Sequence, residues 1–145
     1  VNRRTWVLAF VLGFAIGNAN GADQRIERLL DSIEDVETGG MTDEQKKNAV
    51  GDGGRSRGPY QISYAYYLDA TRSVDVTNSW ADYSRVVAQK RASRQVVLSY
   101  WRKYALSALQ KGDAKILCRV HNGGPRGHRK ASTNAYWKKV KASLR

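Results

Sequence analysis

The sequence predicts an α+β, mainly helical domain with one small β element, and three features predict it. An amphipathic stripe runs through residues 26–37, a glycine-dense segment follows at 48–63, and apolar residues return at helical spacing over 82–109. A chain of 145 residues can bury one core of this kind but is short for two ordinary domains.

The opening Val1-Asn2-Arg3-Arg4 carries two positive charges, an apolar run fills residues 6–16, and the small residues Ala19-Asn20-Gly21 follow. That is the order of a secretory signal peptide. The 11 apolar residues fall well short of the ~20 that a membrane-spanning helix needs. The expected organisation is therefore a signal peptide over 1–21 and one domain over 22–145, with the protein secreted or periplasmic. Its single cysteine, Cys118, cannot form an intramolecular disulfide, so the fold must hold by packing. Cys118 lies in an apolar stretch and reads as a small buried hydrophobe with no chemical role.

In the first helix Ile26, Leu29, Leu30, Ile33 and Glu37 share one face, and Thr38-Gly39-Gly40 supplies the glycines that end helices. Glu34 and Asp35 fall to the side of Ile26, Leu30 and Ile33 and are expected in solvent. Residues 48–63 hold four of the thirteen glycines and one of the two prolines, a density that excludes a helix. The segment predicts a glycine-rich turn and a short strand around Tyr60-Gln61-Ile62. Over 82–109 the residues Val86, Val87, Val96, Val97, Tyr100, Trp101, Tyr104 and Leu109 predict the hydrophobic centre. A shorter helix is expected from Asp113 as cap to His121-Asn122-Gly123-Gly124, and a last one from Ser132 or Thr133, carrying Tyr136, Trp137, Val140 and Leu144.

Two carboxylates stand out because their settings differ. Glu37 continues an apolar stripe at a helix C-terminus, and both desolvation and the helix dipole favour its neutral form. Asp52 sits in Gly51-Asp52-Gly53-Gly54, exposed among backbone N–H groups that favour the ionised form. A neutral acid facing an ionised carboxylate is what cleavage of a glycosidic bond requires. A separation of about 5–5.5 Å would imply retention of configuration and a longer one inversion. Taken singly, a glutamate at a helix end is usually a surface residue and Asp-Gly usually a plain turn. The turn also lacks the Gly-Lys-Ser/Thr ending of a phosphate-binding loop.

Three ordered blocks change that balance. Glu37-Thr38-Gly39-Gly40, then residues 51–62 with Gly58-Pro59-Tyr60-Gln61-Ile62, then His121-Asn122-Gly123-Gly124-Pro125, with Tyr136-Trp137 beyond, resemble the invertebrate-type (destabilase) lysozymes. The resemblance implies a lysozyme-like fold with a cleft beside the small β element, and muramidase activity on peptidoglycan, with Glu37 as general acid. Ser56, Tyr60, Gln61, His121, Asn122 and Gly123 are the candidate sugar contacts. The family's second carboxylate aligns without gaps at Gly51, so assigning it to Asp52 takes a one-residue shift. Animal members are rich in disulfides, and this chain resembles a bacterial relative that packs its core without them. The isopeptidase activity of some members is not carried over.

The formal net charge is +12, and +10 remains once Arg3 and Arg4 leave with the signal. Such an excess draws a protein to polyanions, and for an exported chain that means an anionic cell envelope rather than nucleic acid. No cluster has metal-ligand spacing, so neither metal nor cofactor is expected. Two alternatives to hydrolysis stay open: a lytic transglycosylase, which needs one glutamate only, and a cationic, non-catalytic wall-binding or antimicrobial protein.

Overall fold

The structure is a computed structural model that describes residues 19–72 and 79–144. Most of the expected signal segment, 1–18, lies outside the described residues, and Ala19, Asn20 and Gly21 open the first helix. Helix α1 runs Ala19–Thr38 and buries Ile26, Leu29, Leu30 and Ile33, the stripe its spacing predicts. It ends where the glycines stand: Gly39 N–H donates to Asp35 O at 2.9 Å, and Gly40 takes φ +81°.

A short helix α2, Asp43–Lys47, follows, closed by a reciprocal capping box between Thr42 and Gln45. Next come three two-residue strands, β1 Val50–Gly51, β2 Ser56–Arg57 and β3 Ile62–Ser63, forming an antiparallel sheet in the order β1-β2-β3. Gly51 pairs with Ser56, and Ser56 in turn pairs with Ser63. The strand expected at Tyr60-Gln61-Ile62 begins only at Ile62. Tyr60 and Gln61 belong to the turn before it, where Gln61 N–H donates to Gly58 O at 3.0 Å and Gln61 sits at φ +46°. A positive φ breaks strand geometry, so the alternation of faces expected for this pair does not apply.

Helix α3, Tyr64–Thr71, is capped by the Ser63 hydroxyl, which accepts from Tyr66 N–H. The helical stretch read over 82–109 is three helices: α4 Trp80–Ala88, α5 Lys90–Tyr104 and α6 Leu106–Lys111. The breaks fall at Gln89 and Ala105, whose backbones leave the helical region. Here lie the fully buried Tyr83, Val87, Val97 and Trp101. Asp113 caps α7, Ala114–Gly123, by accepting from Ile116 N–H at 3.1 Å. The last helix, α8, is Asn134–Ser143, entered through two 3-10 turns. Thr133 precedes it without capping it, because its hydroxyl donates to the Gly127 and Lys130 carbonyls and accepts from Arg119.

Helix α5 packs against α3, α4 and α7, and α1 against α7 and α8, around one core that includes Cys118. No helix among the described residues is long and apolar enough to cross a membrane.

Candidate active site

The site forms where the end of α1 meets the glycine turn, α7 and α8. Thr38, buried at the last turn of α1, shares its hydroxyl proton between Glu34 O at 3.2 Å and Pro59 O at 3.1 Å. That bond docks the Gly-Pro-Tyr-Gln turn against the helix that carries Glu37. On the other side of the turn, Gly58 N–H donates to Ala49 O at 3.0 Å, and a Cβ at Gly58 would stand 1.9 Å from Val87 O. Only glycine fits so close an approach at a φ of +75°.

Glu37 is half-buried, with 20% of its side chain exposed. Burial pushes its pKa up; the bond from the Tyr136 hydroxyl, 2.7 Å from Oε1, offsets part of that, the charge of Asp52 adds to the rise, and Lys139 opposes it. The neighbouring Glu34 corrects the sequence expectation. It lies buried rather than in solvent, 2.7 Å from both Lys46 Nζ and Lys90 Nζ. Burial works to raise its pKa, but the hydrogen bonds and charges of the two lysines more than reverse this, and its carboxyl is held below the ordinary value. One turn of helix thus carries a carboxyl kept ionised and another pushed toward neutrality.

Asp52 is exposed and adopts φ +50°, in a turn where Gly53 and Gly54 also take positive φ. Ser56 Oγ donates to Asp52 Oδ2 at 2.7 Å, and Arg55 Nε to the Asp52 carbonyl at 2.9 Å. Asp52 is near enough to Glu37 for its charge to raise the glutamate's pKa. At Gly51, a Cβ would meet Gln61 Oε1 at 2.2 Å, so the Gln61 amide fills the space that a side chain at 51 would need.

The candidate sugar contacts divide. Tyr60 has no exposed surface, and its hydroxyl accepts from Arg94 Nε at 2.7 Å, so it offers nothing to a ligand and serves to anchor the turn. Ser56 is buried and faces Asp52. Gln61 is half-buried, its Nε2 donating to Gly58 O. His121 is 8% exposed and stands behind Glu37, with Nε2 3.9 Å from Oε1 and Nδ1 bonded to the Tyr66 hydroxyl at 3.2 Å. Burial pushes its pKa down to about 4, and a bond to the Tyr60 backbone opposes that shift, so the ring is neutral at pH 7. Asn122 is exposed and Gly123 half-exposed beside it at the end of α7. Among the described residues no three His, Cys, Asp or Glu side chains gather as a metal site would.

Sequence reasoning missed Thr38, Tyr136 and Lys139. Tyr136 belongs to the Tyr136-Trp137 pair, yet nothing in the sequence tells that it meets a carboxyl 99 residues earlier.

Comparison with known proteins points one way. Residues 30–143 match the family described as Destabilase. Lysozyme 1 of Crassostrea virginica is 30% identical over 87 residues, 60% of this chain and 44% of that protein. Invertebrate-type lysozyme 6 of Caenorhabditis elegans is 34% identical over 97 residues, 61% of this chain and 67% of that protein. The chain thus matches less than half the length of the first relative and two thirds of the second. Among solved structures, the lysozyme of Meretrix lusoria in complex with Aeromonas hydrophila PliI superimposes with a TM-score of 0.60 at 32% identity, covering 80% of this chain and 88% of that one.

Proposed function

The chain belongs to the Destabilase family, and from that premise we propose that it is a lysozyme, hydrolysing the bonds between N-acetylmuramic acid and N-acetylglucosamine in peptidoglycan. The observation that carries this reading is the half-buried Glu37, its pKa raised, within electrostatic reach of the exposed Asp52. In this reading Glu37 is the general acid that protonates the leaving glycosidic oxygen. Asp52 is the second carboxylate, acting on the opposite side of the sugar as nucleophile or as base for a water. Its left-handed backbone and the Ser56 hydroxyl orient it. Gln61, Asn122 and Gly123 remain the sugar contacts we favour, because they keep exposed surface, Gln61 against the Gly51 that precedes Asp52 and the other two directly after His121 in the chain.

We place its action outside the cytoplasm, secreted or periplasmic, on the strength of the charged and apolar order of residues 1–21. The positive charge left on the domain would hold it on an anionic envelope. Digestion of purified peptidoglycan with the parent protein, Glu37→Gln and Asp52→Asn, read by mass spectrometry, tests the reaction. Reducing-end products are expected from the parent, with a loss of about 10²–10⁴-fold in Glu37→Gln. A 1,6-anhydro product would mean transglycosylation instead. Lysis by Glu37→Gln at the parent's rate would leave only a cationic, non-catalytic protein.

A further inference from the structure

The Glu37 carboxyl has one hydrogen-bond partner among the described residues, and that partner addresses one oxygen only. Tyr136 Oη donates to Oε1 at 2.7 Å. His121 Nε2 also approaches Oε1, at 3.9 Å, too far for a hydrogen bond. Both neighbours crowd the same atom, while Oε2 has no hydrogen-bond partner among the described residues.

We propose that Tyr136 is a positioning residue that gives the two oxygens of Glu37 different tasks: the phenol holds Oε1, and the proton delivered to the glycosidic oxygen is carried on Oε2. The inference rests on Glu37 as general acid. Its chemistry follows from the acceptor strengths of a neutral carboxyl, whose carbonyl oxygen accepts a hydrogen bond better than its hydroxyl oxygen. A donor fixed on Oε1 makes that atom the carbonyl and leaves the O–H on Oε2. Tyr136 must remain a donor for this to hold. Burial, then the adjacent Glu37 charge, raise its pKa far beyond the ordinary phenol range and keep its proton in place.

In the first step the Oε2–H bond breaks as an O–H bond forms on the glycosidic oxygen, which takes the electron pair of the breaking C1–O bond, while C1 gains a bond from the Asp52 carboxylate or from a water that Asp52 deprotonates. Glu37 is left as a carboxylate, and the charge is supported by the Tyr136 hydrogen bond. Where Asp52 is the nucleophile, water then displaces it from C1 and gives its proton to Oε2, restoring the acid; where Asp52 is the base, the water's proton goes to Asp52 and Glu37 regains its own from solvent on Oε2.

The groups facing Glu37 are Tyr136 and Lys139 from α8, Asp52 from the glycine turn and the neutral His121 from α7. Tyr136 and Lys139 both favour the carboxylate form, but only Tyr136 touches it. The test compares Tyr136→Phe, which keeps the ring, with Lys139→Met. The Glu37 carboxyl is titrated by carbon-13 NMR in each folded protein, and kcat and KM on peptidoglycan fragments are followed against pH. Both variants are expected to raise the Glu37 pKa and move the basic limb of the kcat/KM profile upward. Only Tyr136→Phe should also lose kcat, by about 10-fold, at pH values where Glu37 is protonated in all three proteins, with KM changed less than about twofold.

An unshifted Glu37 titration in Tyr136→Phe overturns the proposal. So does a loss confined to KM, which would make Tyr136 a sugar contact, or an equal kcat loss in Lys139→Met, which would reduce the effect to charge. If Glu37→Gln retains full activity, the general-acid reading itself fails. An inactive Glu37→Gln beside a fully active Tyr136→Phe removes only the division of labour between the oxygens.

Discussion

Glu34 and Glu37 stand one helical turn apart on α1, chemically identical and oppositely tuned. Two lysines hold Glu34 ionised, whereas Glu37 loses water to burial and receives only a neutral phenol as direct partner. The consequence for stability has a definite sign. A carboxyl whose pKa rises on folding binds its proton more tightly in the folded state, so stability falls as pH climbs from the ordinary carboxylate range through the raised value. Glutamine carries no charge at any pH and can still accept the Tyr136 hydrogen bond. Glu37→Gln should therefore melt at about the parent's temperature in acid and above it at neutral pH, a divergence that thermal melts from pH 3 to 8 would reveal. A variant less stable than the parent at pH 7 would mean that the carboxylate is well solvated.

At the scale of elements, the glycine turn matters more than its three short strands suggest. Two-residue strands contribute little ladder, so the turn is held from outside: by Thr38 on the Pro59 carbonyl, by Arg94 on the Tyr60 hydroxyl, and by Gly58 packed against α4. Gly58→Ala would force a left-handed backbone on an L residue and press its Cβ into the Val87 carbonyl. A loss of about 2–4 kcal/mol is expected, read by urea unfolding. Hydrolysis should weaken with it, because Asp52 leaves its place beside Glu37 when the turn shifts. Helix identity at this scale was largely readable. Asp113, Gly39 and Gly40 mark their helix ends because capping and left-handed termini are local chemistry. Helix α3 was missed because Tyr64, Tyr66 and Tyr67 carry no clear helical period. The strand was placed two residues early because the positive φ of Gln61 has no sequence signal.

Across the whole molecule, ion pairs tie elements together where no disulfide can. Glu34 joins α1 to Lys46 of α2 and Lys90 of α5, and Arg94 of α5 reaches back to Glu27 and Asp31 on α1. The two lysines are not equivalent, since Lys46 is 17% exposed and Lys90 54%. Lys46→Met should cost about 2 kcal/mol and Lys90→Met under about 1 kcal/mol, compared by denaturant unfolding at pH 7. Glu34 has a lowered pKa, so its contribution is present above the ordinary carboxylate value and disappears as pH falls through the lowered one; the difference between the variants should narrow there. Taken alone, the sequence determined the mainly helical class, the stripe and end of α1, the capped α7, the glycine-dense turn and the excess of positive charge. Each is written in residues near one another along the chain, where period, caps and composition act. Which carboxyl is dried and which is paired, the anchoring role of Tyr60 and the reach of Tyr136 to Glu37 arise from contacts made on folding. Those outcomes depend on which groups folding brings within a few ångströms, and a proton's affinity for a carboxyl is set by that company rather than by neighbours in sequence.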